Sequence, residues 1–154
     1  MKVDGLMTRQ VVTVGPEESV AVAARTLAGS NVGALPVCGK DGKLCGVVTD
    51  RDLVVRCLAC QLPPETTPVR RVMTGRVLSV TPDTPAEAAA KLMGREQIRR
   101  LPVTQNGRLC GMVSLADLTS LGENSACAAA ALQQISAGIR RETGPLFPQE
   151  KSKK

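Results

Sequence analysis

Apolar and polar positions alternate along the chain in short segments, and the same order of segments occurs twice. Short runs of β-branched and aliphatic residues that end at turn signals predict β-strands. Ala-rich stretches between them have the composition of helices. The predicted strands are residues 11–14, 34–38, 44–49, 77–80, 101–104 and 109–114, and the predicted helices are residues 19–28, 50–60, 85–93 and 115–121. Each half of the chain therefore predicts the order β-α-β-β-α.

The two halves repeat each other over residues 7–53 and 73–118. The recurring strings are Met7-Thr8 with Met73-Thr74, Leu35-Pro36-Val37 with Leu101-Pro102-Val103, and Leu44-Cys45-Gly46 with Leu109-Cys110-Gly111. Asp41-Gly42 and Asn106-Gly107 are strong signals for tight hairpin turns. A Pro-containing stretch, residues 62–68, predicts a linker between the copies. This repetition predicts two copies of one structural unit.

The chain after the second copy follows a different, Ala-rich pattern that predicts a helix over residues 126–141. Asn124 or Ser125 could cap this helix, and Gly144-Pro145 would end it. One face of the helix is apolar and carries Leu132, Ile135 and Ile139. The helix could pack on its own chain, swap onto a partner subunit or engage a separate target protein.

These patterns divide the 154 residues into three parts. The expected boundaries are residues 1–62 for the first repeat, 63–122 for the second, and 123–154 for the C-terminal helix with a basic tail. Residues 146–154 form a short, charged and Pro-containing segment, which predicts disorder. A chain of this length suits one compact domain or a tight pair of small ones.

The composition excludes several kinds of site. The chain has no His, Trp or Tyr, and Phe147 is its one aromatic residue. It therefore has no Ser-His-Asp or Cys-His catalysis, no imidazole zinc ligand, no stacking platform for single-stranded nucleic acid and no aromatic cage. No nucleophile–base pair is recognisable, so we expect no catalytic residues and no enzyme. A ligand would be held by aliphatic side chains, backbone groups, hydroxyls, carboxylates and arginines.

The charge of the chain is positive but spread out. Lys and Arg number 20 and Asp and Glu 14, for a formal net charge of +6. Nucleic-acid binding needs a concentrated patch, and is not favoured here. The nearest cluster is Arg70, Arg71, Arg76, Arg95, Arg99 and Arg100. The polar N-terminus predicts no signal peptide, and no stretch approaches the ~18 apolar residues of a membrane span, so we expect a cytoplasmic protein with reduced thiols.

The cysteines give a weak metal signal. Cys57 and Cys60 form one C-x-x-C pair, whereas a structural zinc site usually has four ligands. Cys38 and Cys45 flank the first hairpin turn and could complete a set of thiolates. Cys45 and Cys110, however, occupy equivalent strand positions, which is typical of cysteines that pack in a core. We expect no metal and no obligatory cofactor.

The repeated element with chemical potential is a hydroxyl residue followed three positions later by a carboxylate. The pairs are Thr49 with Asp52 and Ser114 with Asp117, each directly after a predicted strand. One interpretation is a capping box, which stabilises a helix start by about 1 kcal/mol per cap. The other is a ligand site, because a helix start with an added hydroxyl suits a phosphate and a carboxylate can accept both hydroxyls of a ribose. The sequence leaves both interpretations open.

Together these motifs resemble a tandem pair of CBS (cystathionine β-synthase) domains, similar to small stand-alone bacterial members of that family. The resemblance covers residues 6–121 and rests on the Met-Thr start, the Val-x-x-Val-x-Pro strand, Leu-Pro-Val before the hairpin, and Gly-x-x-Thr/Ser-x-x-Asp. It implies an α+β fold of two β-α-β-β-α repeats packed as a pseudo-two-fold pair, known as a Bateman module, with a C-terminal helix added.

The resemblance also implies roles for individual residues. Asp52 and Asp117 would bind ribose hydroxyls. The residues that would meet phosphates are Thr49, Ser114, Arg51, Arg99 and Arg100. The residues that would surround adenine, partly through backbone groups, are Val11, Val12, Thr13, Val37, Val77, Leu78, Ser79, Val103 and Met112. Gly33-Ala34 stands where the second repeat has Arg99-Arg100, so the two clefts should differ.

The function implied is that of a regulatory module. It would sense an adenosine-containing ligand, such as AMP, ADP, ATP, NAD or S-adenosylmethionine, in clefts between the repeats. Binding would switch its conformation or its contacts in a homodimer or with an effector protein at the C-terminal helix. The alternative is a structural or interaction protein that dimerises through its helices and whose clefts hold no ligand.

Overall fold

The computed structural model describes residues 1–119 and 125–139. Its helices are α1 (Val20–Ser30), α2 (Asp50–Asp52), α3 (Ala86–Glu96), α4 (Leu115–Thr119) and α5 (Ser125–Ile139), and its strands are β1 (Ala34–Cys38), β2 (Leu44–Thr49), β3 (Arg100–Gln105) and β4 (Arg108–Ser114). Helix α2 continues as a π-helix, Leu53–Leu58, and short 3-10 turns occupy Val3–Gly5 and Val69–Arg71. The predicted cap at Asn124, the helix end at Gly144-Pro145 and the disordered tail at 146–154 lie outside the described residues.

Each repeat is built around one antiparallel hairpin, as the turn signals predict. β1 pairs with β2 and β3 pairs with β4. Gly42 and Gly107 adopt φ of +79° and +77° in the turns, a conformation that glycine reaches at no steric cost. The two hairpin tips also bond to each other, because the Leu44 N–H donates to the Gly107 carbonyl (3.0 Å) and the Leu109 N–H to the Gly42 carbonyl (3.2 Å). These reciprocal bonds relate the two repeats by a pseudo-two-fold axis.

The first predicted strand of each repeat is reduced to a single parallel bridge. Val14 pairs with Val37, and Val80 pairs with Val103. The next bond of such a ladder would need an N–H on the residue before the partner valine. That residue is Pro36 or Pro102, which has no N–H, so the ladder stops. The backbone before Val14 therefore leaves the sheet.

The two hydrophobic cores exchange segments. The N-terminal segment packs into the core of the second repeat through Val3 and Met7. The 3-10 turn after the linker packs into the core of the first repeat through Val69 and Val72. Thr8 accordingly bridges to Met112 on β4, at the edge of the second hairpin. Each repeat is thus completed by the chain that precedes the other one.

Helix α5 covers the second repeat by packing on α3 and α4. Its buried side chains are Ala128, Ala131 and Ile135. The predicted apolar face is right for Ile135, but Leu132 is 46% exposed, and the side chain of Ile139 lies outside the description. Small residues occupy the contact because α5 approaches α3 closely at Gly94. None of the helices that the structure describes combines the length and hydrophobicity of a membrane span.

Candidate functional site

The hydroxyl–carboxylate pair of the first repeat forms a complete capping box. β2 ends at Thr49, whose N–H donates to Asp52 Oδ2 (2.9 Å), while the Asp52 N–H donates to Thr49 Oγ1 (3.0 Å). Arg56 lies one turn further along, with its Nε 3.8 Å from Asp52 Oδ1. Arg56 also donates from Nη1 to the carbonyls of Val72 and Met73, both at 3.1 Å. The Asp52 carboxylate is therefore held by its own helix start and by a cation, and its side chain is only 14% exposed.

The second repeat has the same box with a serine. The Ser114 N–H and the Ser114 hydroxyl both donate to Asp117 Oδ2 at 2.7 Å. The Asp117 N–H donates in turn to Ser114 Oγ (3.2 Å). Because one carboxylate oxygen receives both bonds from Ser114, the carboxylate is oriented by the residue that ends β4. The capping and ligand interpretations are compatible here, since the box fixes the position of the carboxylate.

A cavity of about 350 Å³, here called the cleft cavity, joins this second box to the first repeat. Val11, Val12, Ala34 and Pro36 come from the first repeat, and Arg100, Met112, Val113, Ser114 and Asp117 from the second; Thr8, Gln10, Ser30 and Val32 complete the lining. One side of the cavity is thus aliphatic, while the other presents a carboxylate, a hydroxyl and a guanidinium. Its volume lies at the lower end of the range for small-molecule sites.

Five of the nine residues predicted to surround adenine fall into two groups. Val11, Val12 and Met112 line the cleft cavity. Val37 and Val103 have no exposed surface, because alternate side chains of a strand face opposite sides and these two face the cores. Their side chains therefore pack in the cores and reach neither cleft. On β1 it is Ala34 and Pro36, at the alternate positions, that line the cleft cavity.

The remaining predicted adenine contacts lie elsewhere. Thr13 lines a separate cavity of about 200 Å³, together with Cys38 and Cys110. In the second repeat Val77 is half-buried, Leu78 is exposed, and Ser79 Oγ lies 3.1 Å from Thr104 Oγ1 in a hydroxyl–hydroxyl hydrogen bond. The segments 11–13 and 77–79 thus have different surroundings, although they correspond in sequence.

The structure separates the predicted phosphate contacts. Arg100 shares the cleft cavity with Ser114 and Asp117. Arg99 and Arg100 also line a second cavity of about 540 Å³, here called the α5 cavity, whose other lining residues are Ser114, Leu115, Ala116, Thr119, Ala128, Ala129 and Leu132. Arg51 is exposed, and its N–H donates to Asp50 Oδ1 (2.8 Å). Thr49 and Asp52 line neither of these two cavities.

Several residues that line the cleft cavity were not predicted from the sequence. Thr8 carried a signal, because the Met-Thr pair is part of the repeat, but its position depends on the exchange of segments between cores. Gln10 and Ser30 carried none, since they correspond to Arg76 and Glu96 in the second repeat, and Val32 is matched there only by another aliphatic residue, Ile98. Ala34 and Pro36 could have been found from the alternation of side chains along β1.

The thiols of the predicted C-x-x-C pair contact backbone carbonyls. Cys57 Sγ donates to the Leu62 carbonyl (3.4 Å) and Cys60 Sγ to the Val55 carbonyl (3.5 Å), so the two thiols of the C-x-x-C pair face backbone groups. Partial burial raises the pKa of the Cys38 thiol, and nearby Cys45 and Asp41 add to this. Within residues 1–119 and 125–139, no three His, Cys, Asp or Glu side chains are close enough to share one ion.

Comparison with known proteins identifies the repeats. The family model described as "CBS domain" matches residues 3–58 and 69–123. An uncharacterised protein of Bacillus subtilis, YlbB, is 39% identical over 144 residues, which cover 93% of this chain and 97% of that protein.

Solved structures agree with this assignment. The crystal structure of Hypoxic Response Protein I with two coordinated zinc ions matches with a TM-score of 0.73 and 32% identity, over 78% of this chain and 98% of that one. The CBS domain pair of protein MJ0100, in complex with 5'-methylthioadenosine and S-adenosyl-L-methionine, matches with a TM-score of 0.70 and 25% identity, over 81% of this chain and 98% of that one. The chain belongs to the CBS-domain family, with two CBS domains in tandem.

Proposed function

We propose that this protein is a regulatory module that binds an adenosine-containing ligand in the cleft cavity. The observation that carries the proposal is the meeting, in one cavity, of an oriented carboxylate (Asp117), a guanidinium (Arg100) and an aliphatic wall from the other repeat. The adenosyl ligands of the MJ0100 domain pair, which has the same fold, support it.

The chemistry of the lining matches the parts of such a ligand. The carboxylate of Asp117 accepts hydrogen bonds from ribose hydroxyls, as acidic residues do in dinucleotide folds. The guanidinium of Arg100 can donate two bonds to a phosphate. Val11, Val12 and Met112 provide an apolar surface for the base, whose edge would be read by backbone groups next to Val12. No aromatic side chain takes part, in agreement with the composition.

The two clefts are not equivalent in this proposal. In the first repeat, Gly33-Ala34 stands where the second repeat has Arg99-Arg100. A ligand at Asp52 would therefore lack a basic residue from the corresponding strand. We therefore expect one well-occupied site per chain, at Asp117.

Binding would act on the arrangement of the repeats. The cleft cavity takes its walls from both repeats, so a ligand contacts both at once. A ligand shifts a conformational equilibrium only by its differential affinity for the two states. A ligand that bridges the repeats favours the arrangement in which both sets of contacts form.

The test is the thermal midpoint of unfolding with AMP, ADP, ATP, NAD⁺ and S-adenosylmethionine, measured by calorimetry because the chain lacks Trp and Tyr. A ligand at 100 times its Kd adds about 2.7 kcal/mol, which is roughly 5–10 °C for a chain of this size. Asp117→Asn should abolish the shift, and the matched variant Asp52→Asn should keep it. If no ligand raises the midpoint, or if the two variants respond alike, the proposed site is wrong.

A second candidate function is suggested by an exposed apolar face on the first repeat. Val54 and Leu58, on the π-helix after α2, are 54% and 72% exposed, and Val55 lies between them. Such a face suits a symmetric homodimer in which the same patch meets itself. Sedimentation of the wild type and of Leu58→Glu tests this function independently of any ligand, because only an interface at this face is disrupted by the added charge.

A further inference from the structure

The cleft cavity and the α5 cavity meet at two residues, Arg100 and Ser114, which line both. One side of this junction holds the ribose-binding carboxylate of the proposed function. The other side opens under α5, a helix outside the two segments matched by the CBS family model. A ligand in the cleft cavity that extends past Arg100 would therefore enter a solvent-accessible space that the C-terminal helix lines on one side.

The α5 cavity has the size and lining of a second nucleoside site. Its volume of about 540 Å³ exceeds the 350 Å³ of the cleft cavity, in which the proposed function places the adenosine. Its walls are aliphatic at Leu115, Ala128, Ala129 and Leu132, which suits a flat base. The Ser114 hydroxyl donates to Asp117 Oδ2 and the Thr119 hydroxyl to the Ala116 carbonyl, so both oxygens can act as acceptors for sugar hydroxyls.

Two arginines lie where the diphosphate of a ligand that spans both cavities would pass. Arg100 stands at the junction, and the neighbouring Arg99 lines only the α5 cavity of the two. Both are exposed, and guanidinium groups are suited to bridging phosphate oxygens. Two adjacent cations between two cavities of nucleoside size are typical of a site for a diphosphate with a nucleoside at each end.

We infer that the ligand is a dinucleotide, with adenosine in the cleft cavity, its diphosphate at Arg99 and Arg100, and its second nucleoside in the α5 cavity under α5. The inference rests on the proposed function and narrows its ligand class. It also gives α5 a role, because the helix then contacts the ligand directly and its position depends on whether the second nucleoside is present.

The test compares ADP with NAD⁺ by titration calorimetry on the full chain. The two share an adenosine and a diphosphate, so a difference in affinity reports the second nucleoside. We expect NAD⁺ to bind at least ~10-fold more tightly than ADP, a difference of about 1.4 kcal/mol. Ala129→Leu, which fills the α5 cavity, should remove this preference and leave the affinity for ADP unchanged.

Two further variants keep the result interpretable. Ala130→Leu makes the same substitution at the next exposed position of α5, away from the cavity lining, and should leave NAD⁺ binding intact. Arg99→Ala removes a cation without changing α5 and should weaken ADP and NAD⁺ alike, because both ligands carry the diphosphate. Its backbone carbonyl, which accepts a bond from the Leu115 N–H (2.9 Å), is retained.

The outcomes separate the inference from the function on which it rests. Equal affinities for ADP and NAD⁺, or equal effects of Ala129→Leu and Ala130→Leu, would overturn the dinucleotide inference while the adenosine site stands. Binding of S-adenosylmethionine alone would overturn it in the same way. If ADP and NAD⁺ both fail to bind and no other adenosyl ligand raises the thermal midpoint, the proposed function fails as well.

Discussion

Replacing two glycines in corresponding helices by alanine tests how closely α5 packs on the second repeat. Gly29 lies in α1 and Gly94 in α3. A Cβ added at Gly29 would have no other atom within 4 Å. A Cβ added at Gly94 would lie 2.9 Å from Ala131 Cα and 3.2 Å from Ala131 Cβ, and it would clash with Gln134 Oε1. The same substitution, Gly to Ala, therefore meets open space in one helix and the backbone of α5 in the other.

The expected effects have opposite signs. Ala stabilises a helix interior relative to Gly by about 0.5–1 kcal/mol, and Gly29→Ala should show this gain at the low end because it lies near the end of α1. At Gly94 the same gain is offset by overpacking, which costs about 1–3 kcal/mol. The Gln134 side chain can rotate away, but the Ala131 Cα can move only if α5 shifts. The two variants should differ by about 1–3 kcal/mol in free energy of unfolding.

Urea denaturation followed by far-UV circular dichroism measures this difference without aromatic fluorescence. Each kcal/mol also corresponds to about 2–4 °C in thermal midpoint for a chain of this length. If Gly94→Ala is stabilised as much as Gly29→Ala, α5 does not contact α3 at the distance seen here. The α5 cavity and the dinucleotide inference would then lose their structural basis.

Three further predictions follow from single contacts. Gly111→Ala places a Cβ 2.7 Å from the Thr8 carbonyl oxygen. We expect it to lower the free energy of unfolding by about 1–3 kcal/mol, measured by calorimetry, and to weaken ligand binding. Unchanged binding would contradict the position of Thr8 in the cleft cavity. Asp52→Asn weakens the capping box and should cost about 1 kcal/mol in urea denaturation, whereas a neutral result would show that the box adds no stability. Iodoacetamide at pH 8 should modify exposed Cys60 faster than Cys38, because burial raises the pKa of the Cys38 thiol and leaves less thiolate. Mass spectrometry measures the two rates, and equal rates would contradict this prediction.

The hairpins and helices could be predicted because their signals are local. Asp41-Gly42 and Asn106-Gly107 determine the turns, and strands β1 and β2 begin and end at the predicted residues. The first strand of each repeat is shorter than predicted. Its β-branched composition favours a strand, but pairing also needs N–H donors on the neighbouring strand. The missing N–H of Pro36 lies more than twenty residues away from that segment, yet it decides where the pairing stops.

The composition of the cleft could be predicted only in part, because it depends on contacts between the repeats. The sequence marked Asp117 and Arg100 as candidate contacts but did not place them in one cavity. It did not distinguish Pro36, which lines the cleft cavity, from Val37, which is buried on the other side of the strand. It also missed Thr8, whose place beside β4 depends on an exchange between the two cores.

Helix α5 is the reason that two similar repeats present different surfaces. On the second repeat it packs on α3 and α4 and lines one side of the α5 cavity. On the first repeat the corresponding surface is open, with a cavity of about 580 Å³ between α1 and the π-helix and with Leu58 exposed. The proposed ligand site and the C-terminal helix thus share one repeat, while the apolar face proposed for a partner lies on the other. A ligand in the cleft cavity touches both repeats, so occupancy of the site can be communicated to α5 through Arg100 and Ser114 and to the open face through the first repeat. Because α5 covers only the second repeat, the two similar CBS domains would present separate surfaces, one for a ligand and one for a partner.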